Sequence, residues 1–352
     1  MLERDLTYQF KETIRRLLDE TGLTGMIETA SSSTGQGQYQ PDLLLSVDAG
    51  SRKYKVAVEV KAIGQPRIIR MASQQLKEYM DVNPDVVYGI LAAPYISEDG
   101  RSMCHRYGIG YVDLAGNSSI AFANLYVDIQ GRKNPYPTTR GLKSLFAKKT
   151  TRAIRILLSA PKRSWYVRDL AREAELSLGQ VSHVKRLLRD EDLLFEEGRS
   201  FKLVDPERLL KAWVQNYSFR LNDSFDFYSI EGKRIERQVA SFCSEKGITY
   251  ALALFSGANL TAPSVRYGRS FIYLDEEITE VAKQLELKEV TSGANVTLLR
   301  PYDKGVFYGL QDTSGLTVVS DIQLYLDLKT YRGRGDEAAQ HILERRLIPR
   351  WR

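Results

Sequence analysis

Leu6, Phe10, Ile14, Leu17 and Leu18 recur at three- and four-residue spacing, which predicts an opening amphipathic helix with Gly22 as its stop. The Ser/Gly/Gln tract at 31–40 has no apolar rhythm and reads as a surface loop. Apolar and β-branched residues then dominate Asp42–Asp48 and Lys53–Lys61, two strand candidates separated by a turn signal. Between Pro66 and Met80 the helical period returns, with Ile68, Ala72, Leu76 and Met80 in register. Further strands read at Val86–Ala93, Ile109–Leu114 and Ser119–Val127. A helix, a hairpin, a second helix and more strands make a layered α/β block.

The pattern changes after Gly131. Asn134-Pro135-Tyr136-Pro137, followed by Arg140, Lys143, Lys148 and Lys149, marks a linker. Short helices read at Arg152–Leu158, Val167–Ala174 and Gln180–Arg189, then a two-strand signal at Leu194–Leu203 around Gly198. Beyond Pro206 the chain alternates again. Helices are expected at Pro206–Tyr217, Gly232–Lys246, Glu277–Leu285, Ser320–Leu328 and Asp336–Arg346. Strands are expected at Thr249–Phe255, Ser270–Asp275, Asn295–Arg300 and Val306–Leu310. The fold class is therefore α/β in the mixed α+β sense, with blocks at 1–138, 139–205 and 206–352.

Composition narrows the function classes. A chain of 352 residues exceeds what one core usually holds, and 43% apolar with 27% charged residues excludes general disorder. No window approaches about 18 consecutive apolar residues, so no membrane partner is expected. The charged start MLERDLTYQFKETIRR lacks the apolar run of a signal peptide, so the expected location is the cytoplasm. Two cysteines and three histidines cannot build a disulfide framework or a zinc ribbon. The net charge of +6 is modest, but its distribution is not. Thirteen basic side chains lie between Arg140 and Arg189 against Asp169, Glu173 and Glu175, with Asp190 just beyond. That segment is the candidate for contact with double-stranded DNA.

Candidate chemistry sits on the first hairpin. Gly50-Ser51 is a Gly-first pair of the kind that closes a tight turn. Around it, facing residues have numbers that sum to 101, which sets Asp48 opposite Lys53 and Asp42 opposite Glu59. Facing Cβ atoms lie about 5 Å apart, so both carboxylates can reach one divalent cation. Lys61 follows Glu59 by two and shares its face, while Val56, Val58 and Val60 point into the other layer. Mg²⁺ or Mn²⁺ is the expected cofactor, a hard ion that activates a bound water and offsets charge on a phosphate. Lys61 would orient that water or steady the transition state. The glycines of the Tyr107–Asn117 run lack a phosphate-loop pattern and read as a turn, with Asp113 and Asn117 as cleft-lining candidates; Cys104 reads as a buried thiol and His105 as a surface histidine.

Pro41-Asp42, a spacer and Glu59-Val60-Lys61 together resemble the PD-(D/E)xK nuclease superfamily. The resemblance implies a restriction-endonuclease-like N-terminal domain, with Asp42 and Glu59 as metal ligands and Lys61 as the catalytic lysine. Gln75 and Tyr79 share a helix face and look like the Q-x-x-x-Y accessory motif of some nuclease branches. Glu3, seven residues before Phe10, is the candidate for the acid that many members carry on the first helix. A metal-dependent deoxyribonuclease is one implication. The other is a fold that only grips DNA, with Lys61 in an ion pair with either carboxylate.

The middle block resembles a winged helix-turn-helix, whose third helix enters the major groove. Ser177 is the expected N-cap of that helix, and Val181, Val184, Leu187 and Leu188 form its buried stripe. Gln180, Ser182, His183, Lys185, Arg186 and Arg189 lie on its outer face as candidate base readers. Lys143, Lys148 and Arg199 are candidate phosphate contacts.

In the last block, Phe255-Ser256-Gly257 after a strand and then Tyr273-Leu274-Asp275 faintly resemble a nucleotidyltransferase-like α+β domain. Tyr273 stands where that fold needs an acid, so no transfer activity is expected and a protein partner is the better expectation. Gly64–Arg67, Ala93–Ser97, Gly108–Asn117, the winged helix and Ser292–Gly309 resemble AbiEi-like proteins, antitoxins and transcriptional regulators of type IV toxin–antitoxin systems. That resemblance implies promoter binding and opposition to a toxin, without catalysis. The nuclease-like N-terminal block departs from the short antitoxins of the family, which begin with the winged helix.

Overall fold

Leu6, Phe10, Ile14 and Leu18 form one buried stripe along the first helix, α1 (Glu3–Glu20), so its amphipathic spacing is spent on one face of a sheet. The computed structural model describes residues 3–29, 39–49, 52–122, 125–135, 145–264, 266–331 and 333–352, except for the side chains of residues 3, 4, 29 and 49. These fall into two compact units: 1–139 with 189–192, and 140–188 with 193–352.

In the first unit α1 is followed by β1 (Thr24–Thr29), β2 (Leu43–Ala49), β3 (Arg52–Val60), α2 (Pro66–Val82), β4 (Val86–Ala93), α3 (Glu98–Arg106), β5 (Gly110–Asp113), β6 (Ser118–Phe122) and β7 (Leu125–Ile129). The strands line up in chain order as one seven-stranded sheet; β3, β4 and β5 are parallel and the other neighbours antiparallel. The β2–β3 register pairs Asp48 with Lys53 and Leu43 with Val58, as a turn at 50–51 demands; that turn itself lies outside the described residues. Strand alternation then sorts the faces. Leu43, Leu45, Val47, Val56, Val58 and Val60 pack under α1. Ala57 and Leu91 face the opposite way, against Ile69, Ala72 and Leu76 of α2 and Met103 and Cys104 of α3.

Helix α3 has no counterpart in the periodicity because it buries only Gly100, Met103 and Cys104. Its start is set instead by Ser97, whose hydroxyl accepts the Gly100 amide, and by Glu98 and Asp99 in the first turn. Gly64, just before α2, has a backbone reason: a Cβ there would lie 1.8 Å from the Tyr95 carbonyl oxygen.

The second unit begins with α4 (Thr151–Ser159), α5 (Val167–Ala174), α6 (Leu178–Asp190) and the hairpin β8 (Leu194–Glu197) with β9 (Ser200–Leu203). Trp165 exchanges two backbone hydrogen bonds with Phe201, at 2.7 and 2.9 Å, and so ties the hairpin to the helices. There follow α7 (Pro206–Val214), β10 (Asp223–Tyr228), α8 (Ile235–Lys246), β11 (Tyr250–Leu252), α9 (Leu254–Thr261), β12 (Ser270–Leu274), α10 (Ile278–Gln284), β13 (Lys288–Glu289), β14 (Val296–Arg300), β15 (Gln311–Thr313), β16 (Leu316–Val318), α11 (Asp321–Thr330) and α12 (Gly335–Ile342). The strands order as β13-β10-β14-β12-β11-β16-β15. One hydrophobic cluster extends from Leu145 to Leu347, so the three short helices and this sheet share a core.

Two expected strands are corrected. Val306–Leu310 is not a strand: Lys304–Phe307 forms a 3₁₀ turn because Asp303 caps the Gly305 amide at 2.8 Å. Thr249–Phe255 ends as a strand at Leu252 and turns into α9, since an unbroken apolar run buried on all sides carries no period to separate helix from strand.

Candidate functional site

Asp42, Glu59 and Lys61 all lie on the α2 side of the first sheet, because each differs by an odd number from the valines packed under α1. The Asp42 carboxylate accepts the Val60 amide at 2.7 Å, which pins the approach to β2 against the end of β3. Glu59 is almost fully buried, yet neither oxygen lacks a donor. The Lys61 ammonium pairs with one, and the Tyr39 hydroxyl donates to the other at 2.6 Å. Burial pushes the Glu59 carboxyl above the usual carboxylate range, and the donors from Lys61 and Tyr39 pull against that without cancelling it. The Tyr39 hydroxyl is driven far upward by burial and by the Glu59 charge, so it remains a donor.

Tyr39 also meets Tyr79 of α2 edge-on at 6.0 Å, and Gln75 sits half-buried one turn earlier on that helix. Sequence reasoning missed Tyr39 because it lies within the polar Ser/Gly/Gln tract, although a tyrosine two residues before Pro41-Asp42 shares the hairpin's polar side. Glu3 opens α1, which packs on the opposite face of the sheet; its side chain lies outside the described residues. Asp113 and Asn117 are both buried and engage each other at 2.8 Å while bracing the turn between β5 and β6, so they line no cleft. Cys104 is buried and its thiol is pushed up to about 12 by that burial, and His105 is exposed. Among the described residues no three His, Cys, Asp or Glu side chains cluster at metal-binding distance. Asp42 and Glu59 supply hard carboxylate oxygens, the right chemistry for Mg²⁺ or Mn²⁺, but a cation would have to compete with Lys61 for Glu59.

Helix α6 opens with a reciprocal cap: the Gln180 amide donates to the Ser177 hydroxyl at 3.2 Å, and the Ser177 amide donates to the Gln180 side chain at 2.9 Å. Those two residues set the start of the helix. Val181, Val184, Leu187 and Leu188 are buried beneath it. Ser182, Arg186 and the hairpin's Arg199 are exposed, and the Arg186 guanidinium meets His183 Nδ1 at 3.1 Å. Lys185 is instead held against the hairpin, 2.8 Å from Glu196 and over the Phe201 ring. Arg189 is half-buried beside Asp190 at 3.8 Å. Lys143 lies outside the described residues.

Polar contacts tie α4 and α5 to the last segment of the chain. Arg152 forms a two-pronged pair with Asp303, at 2.8 and 2.7 Å, and Lys304 pairs with Glu175. Burial would raise the Asp303 carboxyl, but Arg152 and the Gly305 amide outweigh it and hold it below the usual range. Tyr273 and Asp275 do not form an acidic pair: Tyr273 is buried with its hydroxyl on Asp327 at 3.1 Å, and Asp275 is exposed beyond the strand end.

The chain is thus mixed α+β, and residues 202–348 match the family described as transcriptional regulator, AbiEi antitoxin, type IV toxin–antitoxin system. No curated protein matches the chain. Among the described residues no helix is long and apolar enough to cross a membrane.

Proposed function

We propose that the protein is a DNA-binding transcriptional regulator of the type IV antitoxin kind, in which residues 139–205 act as a winged helix-turn-helix on double-stranded DNA. One observation carries this reading. The antitoxin-like segment and the three short helices with their basic outer face, as far as Leu188, belong to one compact unit with one core. Arg186 and Arg199, exposed on α6 and on the β8–β9 hairpin, are the side chains assigned to DNA. Ser177 and Gln180 shape the helix start, and Lys185 holds the hairpin against it. The segment 206–352 is assigned to a protein partner, a toxin in the antitoxin reading.

The test is a gel-shift assay on DNA upstream of the protein's own gene. Arg186→Glu with Arg199→Glu should abolish the shift while leaving the melting temperature unchanged; an unaltered shift would sink the proposal. Lys185 is left intact, because its reversal would break the ion pair with Glu196.

A second reading keeps the PD-(D/E)xK resemblance, on the observation that Asp42, Glu59 and Lys61 converge on one face around a buried carboxylate. In it, Asp42 and Glu59 would hold the Mg²⁺ or Mn²⁺, which supplies an activated water and neutralises phosphate charge. Lys61 would leave Glu59 for the phosphate, and Gln75 and Tyr79 would face the strand. Incubation with plasmid and either metal checks this: cleavage lost in Glu59→Gln supports it, and no difference between wild type and variant refutes it.

A further inference from the structure

We infer that the second unit carries a binding site for a nucleoside 5′-phosphate, free or at the end of a nucleic-acid strand, in the cleft between α9, the start of β12 and the α11–α12 junction. The cleft has a volume of about 300 Å³, at the lower end of the range for small-molecule sites. Its wall is aromatic. Phe255, Phe271 and Tyr331 meet one another edge-on or tilted, with ring centroids 5.4–6.5 Å apart, and Phe255 and Tyr331 are only half-buried. Tyr267 adds a fourth ring, fixed by its hydroxyl on Glu236 at 3.1 Å.

Its rim is cationic. Arg266, Arg269 and Arg334 line the cleft, and among the described residues no carboxylate does. Arg269 is preorganised by the Ala294 carbonyl at 3.0 Å and by Asp226 at 3.3 Å. Arg334 is exposed and pairs along its own helix with Glu337, while Arg266 is exposed at the mouth. Flat rings beside forked guanidinium donors suit a base and its phosphate: the rings offer stacking surface and the guanidiniums bidentate donors. A bare anion would leave the rings unused, and an apolar ligand would make no use of the guanidinium donors at the rim. The site is remote in sequence from Arg186 and Arg199 and does not rest on their reading.

Calorimetric titration of the full chain with AMP and GMP tests it, with adenosine and inorganic phosphate as partial probes. Saturable nucleotide binding is expected, with either fragment at least about tenfold weaker. Arg266→Gln with Arg334→Gln, both on the surface, should weaken nucleotide binding about tenfold, and Arg186→Glu should not change it. A 5′-phosphorylated short oligonucleotide, measured in the Arg186→Glu background, separates the sources. Tighter binding than AMP assigns the cleft to a strand end, weaker binding assigns it to a free nucleotide, and both support the site. Phosphate binding as tightly as AMP would overturn the nucleotide assignment. So would the absence of saturable binding by AMP, GMP and the oligonucleotide, or binding that the double arginine variant leaves unchanged.

Discussion

Among the described residues, Glu59 and Asp327 are the two buried carboxylates whose ionisation works against their surroundings. At Glu59 the Lys61 ammonium and the Tyr39 hydroxyl offset much of the desolvation cost, and the carboxyl still titrates above its usual range. A group raised on folding stabilises most when protonated, so its contribution falls as pH rises through the folded value. Lys61→Met should therefore steepen the loss of stability above the usual carboxylate range, and Glu59→Gln should remove it; urea melts across pH check both. Asp327 is fully buried and accepts hydrogen bonds from Tyr217 at 2.6 Å, Gln323 at 2.7 Å and Tyr273 at 3.1 Å. Burial nevertheless pushes its carboxyl up to about 7 from 3.8. Its stabilisation is complete below pH 3.8 and is lost as pH climbs to about 7, a span worth up to about 4 kcal/mol. Asp327→Asn should flatten that dependence, and a stability that falls equally from pH 4 to 8 in both proteins would contradict the assignment.

At the scale of elements, caps and close approaches set the architecture as firmly as apolar periodicity. Ser177→Ala removes one half of the reciprocal cap of α6 and should cost about 1 kcal/mol, with a weaker gel shift as the helix start frays. Asp303→Ala leaves the Arg152 guanidinium, whose side chain is only 15% exposed, to the more distant Glu175 carboxylate at 4.0 Å, and uncaps the 3₁₀ turn. A loss of about 3 kcal/mol is expected, read from the denaturation midpoint. Gly257→Ala should be comparably harmful, since a Cβ there would stand 2.8 Å from the Leu252 carbonyl oxygen and from methyl groups of Leu324 and Val318.

Over the whole molecule, the second unit has its own continuous core, from Leu145 to Leu347, and Trp351 donates to the Leu158 carbonyl of α4 at 3.0 Å. Residues 140–352 should therefore unfold as one cooperative transition when expressed alone. In the proposed function that piece also retains the gel shift, with log affinity falling by roughly one unit per tenfold salt for each phosphate contact. Two separated melting transitions in this piece would break the single-core reading. The net charge of +6 conceals this organisation, because the basic surplus lies between Arg140 and Arg189, on and beside helices that share a core with the antitoxin-like segment.

Periodicity and turn chemistry alone were enough to place α1, the β2–β3 register and the buried stripe of α6, because each depends on residues near in sequence. The spacing around Gly50-Ser51 likewise put Asp42, Glu59 and Lys61 on one side of the hairpin. Tertiary structure decided what their environment is. Tyr39 reaches Glu59 across 20 residues of sequence, and Arg152 reaches Asp303 across 151. It also decided that Val306 belongs to a capped turn and that Asp113 and Asn117 brace a turn rather than line a cleft. Burial and long-range pairing arise only when distant segments meet, and they determine whether a carboxylate, lysine or arginine is available for chemistry or committed to holding the fold.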